Sequence, residues 1–324
     1  MLHVGYALVP GTIAYAWLFG IGVLVQILLA CVTAVIAEGL ILFLRKRPIR
    51  RTLADGSALL TAVLLALAIP PIAPWWVIVL GTAFAIIFGK QVYGGIGYNP
   101  FNPAMLGYVM LLISFPLEMT RWPAAFNLLD QTPTLQASLD VIFNAGLGID
   151  TVSGATPLDA IKTQLGQGID IHSTIISSTY GELFGSLAGV GWEIVSLGFL
   201  IGGIYLLVTR RIAWQIPFAM LGTIAVLASV FYLIDSARYM SPLLHLFGGA
   251  TMLGAFFIAT DPVSAATTPR GRIYYGIGIG VFTFIIRSWG SYPEGIAFAV
   301  LLMNMAAPTI DYYTRPTVFG QSRD

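Results

Sequence analysis

Long apolar segments dominate the chain and alternate with short polar loops, except for one long polar stretch in the middle. About 20 consecutive apolar residues cross the hydrocarbon of a bilayer as an α-helix. We therefore predict an all-α polytopic membrane protein with about ten transmembrane helices, two of them stopped early by prolines. The predicted spans are 2–17, 19–44, 58–72, 76–90, 103–117, 192–209, 213–233, 242–260, 273–288 and 295–310.

Short matches indicate that the chain repeats itself after 193 residues. The sequence GSALL at 56–60 resembles GATML at 249–253, and YNP at 98–100 resembles SYP at 291–293. Five spans in each copy invert the second copy relative to the first, and inverted repeats of this kind meet near the midplane through broken helices. We therefore predict two inverted five-helix repeats, with irregular segments buried in protein at 96–104 and 260–265.

Basic residues orient these spans. Clusters of arginine and lysine lie at 45–51, at 210–211, at 270–272 and at 315–323, and with ten spans they all fall on one side. The positive-inside rule then places both termini in the cytoplasm. Four parts follow: 1–117 is the first five-helix membrane repeat, 118–190 an extracytoplasmic (periplasmic) segment, 191–311 the second five-helix membrane repeat, and 312–324 a cytoplasmic tail.

Composition narrows the chemistry. The chain is 57% hydrophobic and 10% charged, against roughly a quarter charged in ordinary soluble domains. The net charge of +1 indicates no nucleic-acid partner. Cys31 is the single cysteine, which excludes an internal disulfide and a Cys-ligated cluster within this chain. The three histidines are far apart in sequence and show no metal-ligand spacing, so we expect no metal site.

Thr156 is the most informative polar residue of the 118–190 segment. Pro157 follows it and Asp159 comes third, which is the pattern of an N-cap, a proline at the first helical position and an acid in the first turn. It predicts a helix over 157–165. A helix N-terminus also suits a phosphate, because it presents free N–H groups and the positive end of the helix dipole. Gly154 and Ala155 leave room for a bulky group, so a plain cap and a modification site both stay open.

Four motifs in the same order resemble blocks of one family. DTVSGAT at 150–156 matches the D-x-x-S/T-G-A-T pattern at which a flavin transferase links FMN to threonine. KQVYGGIGYNPFNPAMLGY at 90–108 looks like the signature of the RnfD subunits of Rnf electron-transport complexes, which are related to NqrB of the sodium-pumping NADH:quinone reductase. Residues 256–265 and 310–316 match two further blocks. The resemblance to this NqrB/RnfD family runs from about residue 8 to the C-terminus.

The resemblance implies FMN in covalent phosphoester linkage to Thr156, with Asp150, Ser153, Gly154 and Ala155 as the attachment motif and the flavin transferase as the maturation partner. It also implies a non-covalent riboflavin within the spans. Members of the family usually carry a short cytoplasmic segment before the first span, whereas this chain starts almost inside that span.

The resemblance further implies a place in a complex of subunits A, B, C, D, E and G in the bacterial inner membrane. Such a complex exchanges electrons between ferredoxin and NAD and couples this to Na⁺ or H⁺ movement. The FMN-bearing G subunit is then the most direct partner of this chain. Because the chain has no nucleotide fingerprint, we expect it to act only as a subunit and to hold no catalytic residue of its own.

Four polar residues within or beside the spans have two interpretations each. The amides of Asn99 and Asn102 hydrogen-bond a flavin ring or line an ion path, or they satisfy backbone groups freed by the break. Glu38 couples ion movement, or it snorkels to the interface or pairs with the basic residues at 45–47. Asp261 couples ion movement, or it caps a Thr-Asp-Pro turn.

Two other functions also fit the residues. One is a secondary transporter or channel for a small solute, built as an inverted repeat. The other is a scaffold that only anchors catalytic partners. A covalent flavin that fluoresces in a denaturing gel distinguishes the redox subunit from both.

Overall fold

The computed structural model describes residues 1–128, 135–144 and 153–316, and most of these residues are helical. The helices are α1 (Leu2–Phe19), α2 (Gly22–Leu44), α3 (Ile49–Leu53), α4 (Ser57–Ala68), α5 (Trp75–Phe84), α6 (Pro103–Ser114), α7 (Pro116–Thr120), α8 (Leu135–Phe143), α9 (Pro157–Gly166), α10 (Ile171–Ile176), α11 (Trp192–Val208), α12 (Gln215–Ile234), α13 (Pro242–Phe247), α14 (Thr251–Leu253), α15 (Pro269–Trp289) and α16 (Ile296–Thr314). A π-helix, Ala85–Gln91, continues α5, and a second, Gly254–Ile258, continues α14. Two short 3₁₀ helices are Phe126–Leu128 and Gly181–Leu183. The strands β1 (Trp122–Pro123) and β2 (Ser153–Gly154) form one antiparallel pair.

The predicted membrane architecture is confirmed. In the described part of the chain, four helices, α1, α2, α12 and α16, are long and apolar enough to cross a bilayer. Helices α4, α6, α11 and α5 with its π-helical continuation are shorter apolar helices. Each of the ten predicted segments overlaps at least one of the observed helices. The eighth is interrupted at Gly248 and Gly249, where the backbone φ of Gly249 is +62°, a conformation that favours glycine.

Helix positions follow the predicted offset. Helix α12 begins at residue 215 and α2 at 22, and α16 begins at 296 and α6 at 103, so both pairs differ by 193 residues. Within the same scheme α11 corresponds to α1, α14 to α4, and α15 to α5. The two copies therefore contain the same series of five helices.

The two copies also run in opposite directions between two cavities. Helices α1, α4 and α6 begin beside a cavity lined by Asn99 and end beside a cavity lined by Thr156. Their counterparts α11 and α14 begin beside the Thr156 cavity and lead toward the Asn99 cavity. This is the inverted arrangement that the sequence predicts.

Glycines bring the first helices of the two copies together. A Cβ atom at Gly202 of α11 would lie 1.8 Å from the carbonyl oxygen of Ala7 in α1. A Cβ atom at Gly198 would lie 2.8 Å from the Cα atom of Gly11. Close approach through small residues is a usual way for helices to pack in a membrane, where apolar side chains gain nothing by leaving lipid.

Candidate functional site

Two cavities are lined by four of the predicted site residues in the described part of the chain, Thr156 in one and Asn99, Asn102 and Asp261 in the other. The first, here called the Thr156 cavity, lies between α1, α6, α9, α11 and the loop before α14. The second, here called the Asn99 cavity, lies between the starts of α1, α4 and α6 and the segment after the second π-helix. The two cavities approach each other where Ala104 and Met105 are neighbours in α6, since Ala104 lines one and Met105 the other.

Thr156 is the N-cap of α9, as predicted. Its backbone is extended, and its Oγ1 atom accepts a hydrogen bond of 3.2 Å from the backbone N–H of Asp159. Pro157 occupies the first helical position, where a missing N–H costs no hydrogen bond. The helix ends at Gly166, one residue beyond the predicted end. The Thr156 side chain lines the cavity and is only partly buried.

The residues before Thr156 are held by a short strand pair. Ser153 of β2 is opposite Pro123 of β1, and Gly154 is opposite Trp122. A Cβ atom at Gly154 would lie 3.2 Å from the Cβ atom of Ala124, so a larger residue would crowd this approach. Ala155, like Ser153 and Gly154, is partly buried, whereas Asp150 lies outside the described residues.

Aromatic side chains form one wall of the Thr156 cavity. Trp122 packs edge to face on Trp192, with ring centroids 5.3 Å apart. The ring centroids of Trp192 and Tyr15 are 6.0 Å apart. Tyr108 and Tyr292 line the same cavity. Such a wall suits a planar aromatic ligand, because stacked and edge-to-face rings attract one another beyond the effect of burial.

One polar atom of this wall is unpaired. The Tyr15 side chain is 1% exposed, and its hydroxyl has no hydrogen-bond partner among the residues that the structure describes. Leaving a buried hydroxyl unsatisfied costs about 1–3 kcal/mol. A bound group that accepts a hydrogen bond from Tyr15 would remove this cost.

An ion pair between the buried Arg287 and the partly buried Glu294 lies at the cavity wall, just before the start of α16. Arg287 Nη2 lies 2.8 Å from a carboxylate oxygen of Glu294, and the Arg287 side chain is fully buried. Arg287 also donates to the backbone carbonyls of His245 and Gly248. Glu294 accepts from the backbone N–H of Ala250 and lines the cavity. The pair therefore fixes the interruption between α13 and α14 against the end of α15.

Lys162 connects α9 to the end of α15 and the loop that follows it. Its ammonium group donates to the backbone carbonyls of Ile286, Arg287 and Tyr292 at 3.1, 3.0 and 2.8 Å. Carbonyl groups at a helix C-terminus carry negative partial charge and favour a cation. Helix α9 is therefore held at its N-terminus by the cap and one turn later by Lys162.

Burial shifts the ionisation of two groups on α9. Desolvation raises the pKa of the Asp159 carboxyl above its usual range. Desolvation, and secondarily the positive charge of Arg287, lower the pKa of the Lys162 ammonium. Both shifts follow from the partial burial of Asp159, which lines the cavity, and of Lys162, which contacts the end of α15.

Asn102 binds backbone groups at the first break. Its Oδ1 atom accepts from the N–H groups of Ala104 and Met105 and so caps α6, while its Nδ2 atom donates to the carbonyl of Ile258 at 3.3 Å. The backbone N–H of Asn102 donates to Oδ1 of Asn304 at 2.9 Å. The backbone interpretation of Asn102 therefore describes its contacts in this structure, and its contact with a cofactor stays a prediction.

Asn99 keeps one polar atom free. Its Nδ2 atom donates to the carbonyl of Phe101 at 2.9 Å. Its Oδ1 atom is buried and accepts no hydrogen bond from any described residue, and the side chain belongs to the wall of the Asn99 cavity. This cavity has a volume of about 280 Å³, which leaves room for several water molecules or a hydrated ion.

Glu38 is fully buried and pairs with Lys90. The distance between Lys90 Nζ and Glu38 Oε1 is 2.5 Å, with side-chain exposures of 2% and 0%. Lys90 also donates to Ser57 Oγ at 2.6 Å, and Gln91 donates to Glu38 Oε1. The interpretation that Glu38 pairs with the basic residues at 45–47 is therefore wrong, since its partner Lys90 is 52 residues away in sequence. Lys90 and Ser57 line the Asn99 cavity, so the pair lies at its wall.

Asp261 closes a turn at the second break. Its carboxylate accepts from Ser264 Oγ at 2.8 Å and from the backbone N–H of Val263 at 3.3 Å. This is the cap predicted for the Thr-Asp-Pro turn. Asp261 also lines the Asn99 cavity, so the structure brings Asn99, Asn102, Asp261 and the Glu38–Lys90 pair to one place and Thr156 to another. Ion coupling by Asp261 and Glu38 stays a prediction.

Three features of these cavities were not found in the sequence. Asn304 joins the two breaks, since it accepts from Asn102 and donates to the Ser264 carbonyl and the Tyr275 hydroxyl. The Arg287–Glu294 pair and the Lys162 contacts were also missed. The charge of Arg287 at the end of an apolar segment was a usable signal, because such charges are rare and paired.

The chain is similar to known proteins over its whole length. The model of the NQR2, RnfD, RnfE family matches residues 1–320. A relative from Erwinia tasmaniensis is 49% identical over 334 residues, which cover 100% of this chain and 94% of the relative. Relatives from Salmonella typhi and Salmonella paratyphi B are 51% identical with the same coverage. All three are named as the D subunit of an ion-translocating oxidoreductase complex.

Proposed function

The chain belongs to the NQR2, RnfD, RnfE family, and from this membership we propose that it is the membrane flavoprotein subunit of an ion-translocating electron-transport complex. The name of its relatives at about 50% identity supports the place in such a complex. The finer steps of the proposal are that FMN is linked to Thr156, that ferredoxin and NAD are the redox partners of the complex, and that Na⁺ or H⁺ is moved.

The geometry of Thr156 supports the FMN linkage. A phosphoester replaces the hydrogen of the hydroxyl and leaves Oγ1 as an acceptor, so the bond from the Asp159 N–H is compatible with it. The helix N-terminus stabilises the negative phosphate. The cap and the proposed attachment site are therefore compatible at Thr156.

The walls of the Thr156 cavity fit a flavin ring. Trp122, Trp192 and Tyr108 offer aromatic surfaces, and the unpaired hydroxyl of Tyr15 offers a hydrogen-bond donor. A bound flavin supplies the uptake and release of electrons, which no side chain of this chain supplies. The protein itself holds the ring in place, excludes water from one side and sets the electrostatic surroundings through the Arg287–Glu294 pair.

The Asn99 cavity is the proposed place of the second, non-covalent flavin or of the ion path. Its wall contains the free Oδ1 atom of Asn99 and the carboxylate of Asp261. Oxygen ligands of this kind suit a hard cation such as Na⁺. We propose that Asp261 and Glu38 take part in ion coupling, with Lys90 holding Glu38 in place.

Partners and location complete the proposal. We propose the inner membrane of a bacterium, both termini in the cytoplasm and Thr156 on the periplasmic side. The subunits A, B, C, E and G are the proposed neighbours, and the FMN-bearing G subunit is the one closest to Thr156. The flavin transferase is the proposed maturation partner.

Flavin fluorescence in a denaturing gel tests the linkage. The full chain, co-expressed with a flavin transferase, should fluoresce after denaturation, and Thr156→Ala should abolish this fluorescence while the complex still assembles. Thr120→Ala is the matched control, since Thr120 lines the same cavity outside the motif, and should fluoresce like the parent chain.

Two outcomes would contradict the proposal. Fluorescence retained by Thr156→Ala would place the flavin elsewhere. A colourless parent chain that moves a solute when reconstituted alone would favour the transporter instead.

A further inference from the structure

We propose that the hydroxyl group of Tyr15 donates a hydrogen bond to the flavin ring in the Thr156 cavity and thereby raises the midpoint potential of that flavin. The inference rests on the proposed attachment of FMN to Thr156. It assigns a role to a residue of α1 that belongs to none of the four family motifs.

The inference is based on the burial of Tyr15 and on its hydroxyl, which has no hydrogen-bond partner among the described residues. The side chain is 1% exposed and lines the cavity, and its hydroxyl finds no partner among the described residues. Buried polar side-chain atoms are hydrogen-bonded in the large majority of cases, and buried tyrosine hydroxyls usually find a partner. A ligand of the cavity that offers an acceptor is therefore the expected partner.

The neighbours of Tyr15 fix where its hydroxyl lies. The ring meets Phe19 edge to face at 5.4 Å between centroids and Trp192 at 6.0 Å. Phe19 and Trp192 are themselves in contact, with centroids 4.5 Å apart. A ring held on two sides loses little further freedom when its hydroxyl binds a ligand, so the donor is pre-organised.

The same wall connects Tyr15 with the attachment point. Trp192 packs on Trp122, and Trp122 is opposite Gly154 in the strand pair, two residues before Thr156. A group tethered to Thr156 that stacks on this wall therefore extends toward Tyr15. Thr156 and Tyr15 both line the one cavity.

The chemistry of a flavin gives the donor a defined effect. The ring carbonyl oxygens and ring nitrogens accept hydrogen bonds, and they carry more electron density after reduction. A fixed donor therefore stabilises the reduced ring more than the oxidised ring, because hydrogen bonds to more negative acceptors are stronger. Loss of the hydroxyl should make the flavin harder to reduce.

A bound water molecule is the competing partner for the hydroxyl. A buried water needs two to four polar partners. Thr156, Asp159 and Glu294 are polar members of an otherwise mainly apolar wall. If water accepts the hydrogen bond from Tyr15, removal of the hydroxyl leaves the midpoint potential of the flavin unchanged.

The test is spectroelectrochemical titration of the full chain with covalent FMN, purified in detergent after non-covalent flavin has been washed out. Tyr15→Phe keeps the ring and removes only the hydroxyl. Incorporation of 3-fluorotyrosine at position 15 keeps the hydroxyl and makes it a stronger donor. Tyr274→Phe is the matched control, because Tyr274 is 58% exposed on α15 and lines neither cavity.

The two variants should shift the potential in opposite directions. Tyr15→Phe should lower the midpoint potential by the equivalent of about a tenfold change in the equilibrium constant, about 59 mV for a one-electron couple. The fluorinated chain should shift upward, and Tyr274→Phe should not shift. A structural role alone cannot produce shifts of opposite sign.

Two results separate the inference from the function on which it rests. An unchanged potential in both position-15 variants, with FMN still attached to Thr156, would overturn the role of Tyr15 alone. A parent chain without FMN on Thr156 would overturn the proposed function. If Tyr15→Phe fails to fold, the fluorinated chain decides: no upward shift there refutes the hydrogen bond.

Discussion

The buried pair of Glu38 and Lys90 makes a sharp prediction about stability. Replacing Glu38 by methionine leaves Ser57 Oγ, at 2.6 Å, as the acceptor for the Lys90 ammonium. The Lys90 side chain is only 2% exposed. Breaking a buried ion pair by removing one partner costs about 3–5 kcal/mol, because an uncompensated charge stays in low dielectric. The single variants Glu38→Met and Lys90→Met should each lose about this much free energy of unfolding.

The double variant decides whether the loss comes from the pair. Replacing both partners removes both charges, and such replacements are often neutral or stabilising. The Glu38→Met, Lys90→Met chain should therefore be more stable than either single variant. The assay is reversible unfolding of the full chain in mixed micelles, followed by tryptophan fluorescence. Glu182→Met, at an exposed position, is the control and should change little.

Additivity would refute this reasoning. If the double variant loses the sum of the two single losses, the side chains do not interact across the pair. The double variant also separates structure from ion coupling. If Glu38 takes part in coupling, the double variant should fold and transfer electrons yet move no ions.

Three further predictions follow from single contacts. Asn304→Leu should lower the free energy of unfolding by about 2–3 kcal/mol, since three hydrogen bonds of about 1 kcal/mol each are lost; a variant as stable as the parent in the same assay would contradict this. Lys162→Met should speed hydrogen exchange of α9, because its ammonium no longer binds the three carbonyls of the α15 end; unchanged protection would show that Lys162 does not anchor this helix. In a Cys31→Ser background, a membrane-impermeant maleimide added from outside should label Ser173→Cys and not Arg51→Cys; labelling of Arg51→Cys alone would reverse the proposed topology.

Local signals in the sequence predicted the helices well. Apolar runs give the spans directly, because a chain in lipid has to satisfy its backbone within helices. The start of α9 was predicted from Thr156, Pro157 and Asp159, and the observed cap uses these three residues. The break before α6 was predicted from the repeat, and Asn102 caps the helix that follows it. The expected burial of the whole 96–104 segment was wrong for residues 96–98, which are exposed.

Contacts between residues that are distant in sequence could not be predicted from the sequence. One interpretation paired Glu38 with the nearest basic residues, yet its partner Lys90 belongs to the π-helix that continues α5. The unpaired hydroxyl of Tyr15 gives no signal in the sequence, since only packing around Trp192 shows that it is buried. The cavities themselves arise from the arrangement of two helix sets, which hydropathy does not specify.

The peptide that contains Thr156 provides the most direct test of the central claim. Mass spectrometry of this peptide, taken from the native chain in its assembled complex, should show the added mass of FMN less one water, carried on Thr156. Fragment ions should assign the phosphoester to Thr156 and to no other hydroxyl of the peptide, Ser153 included. An unmodified Thr156 peptide from an active complex would contradict the account.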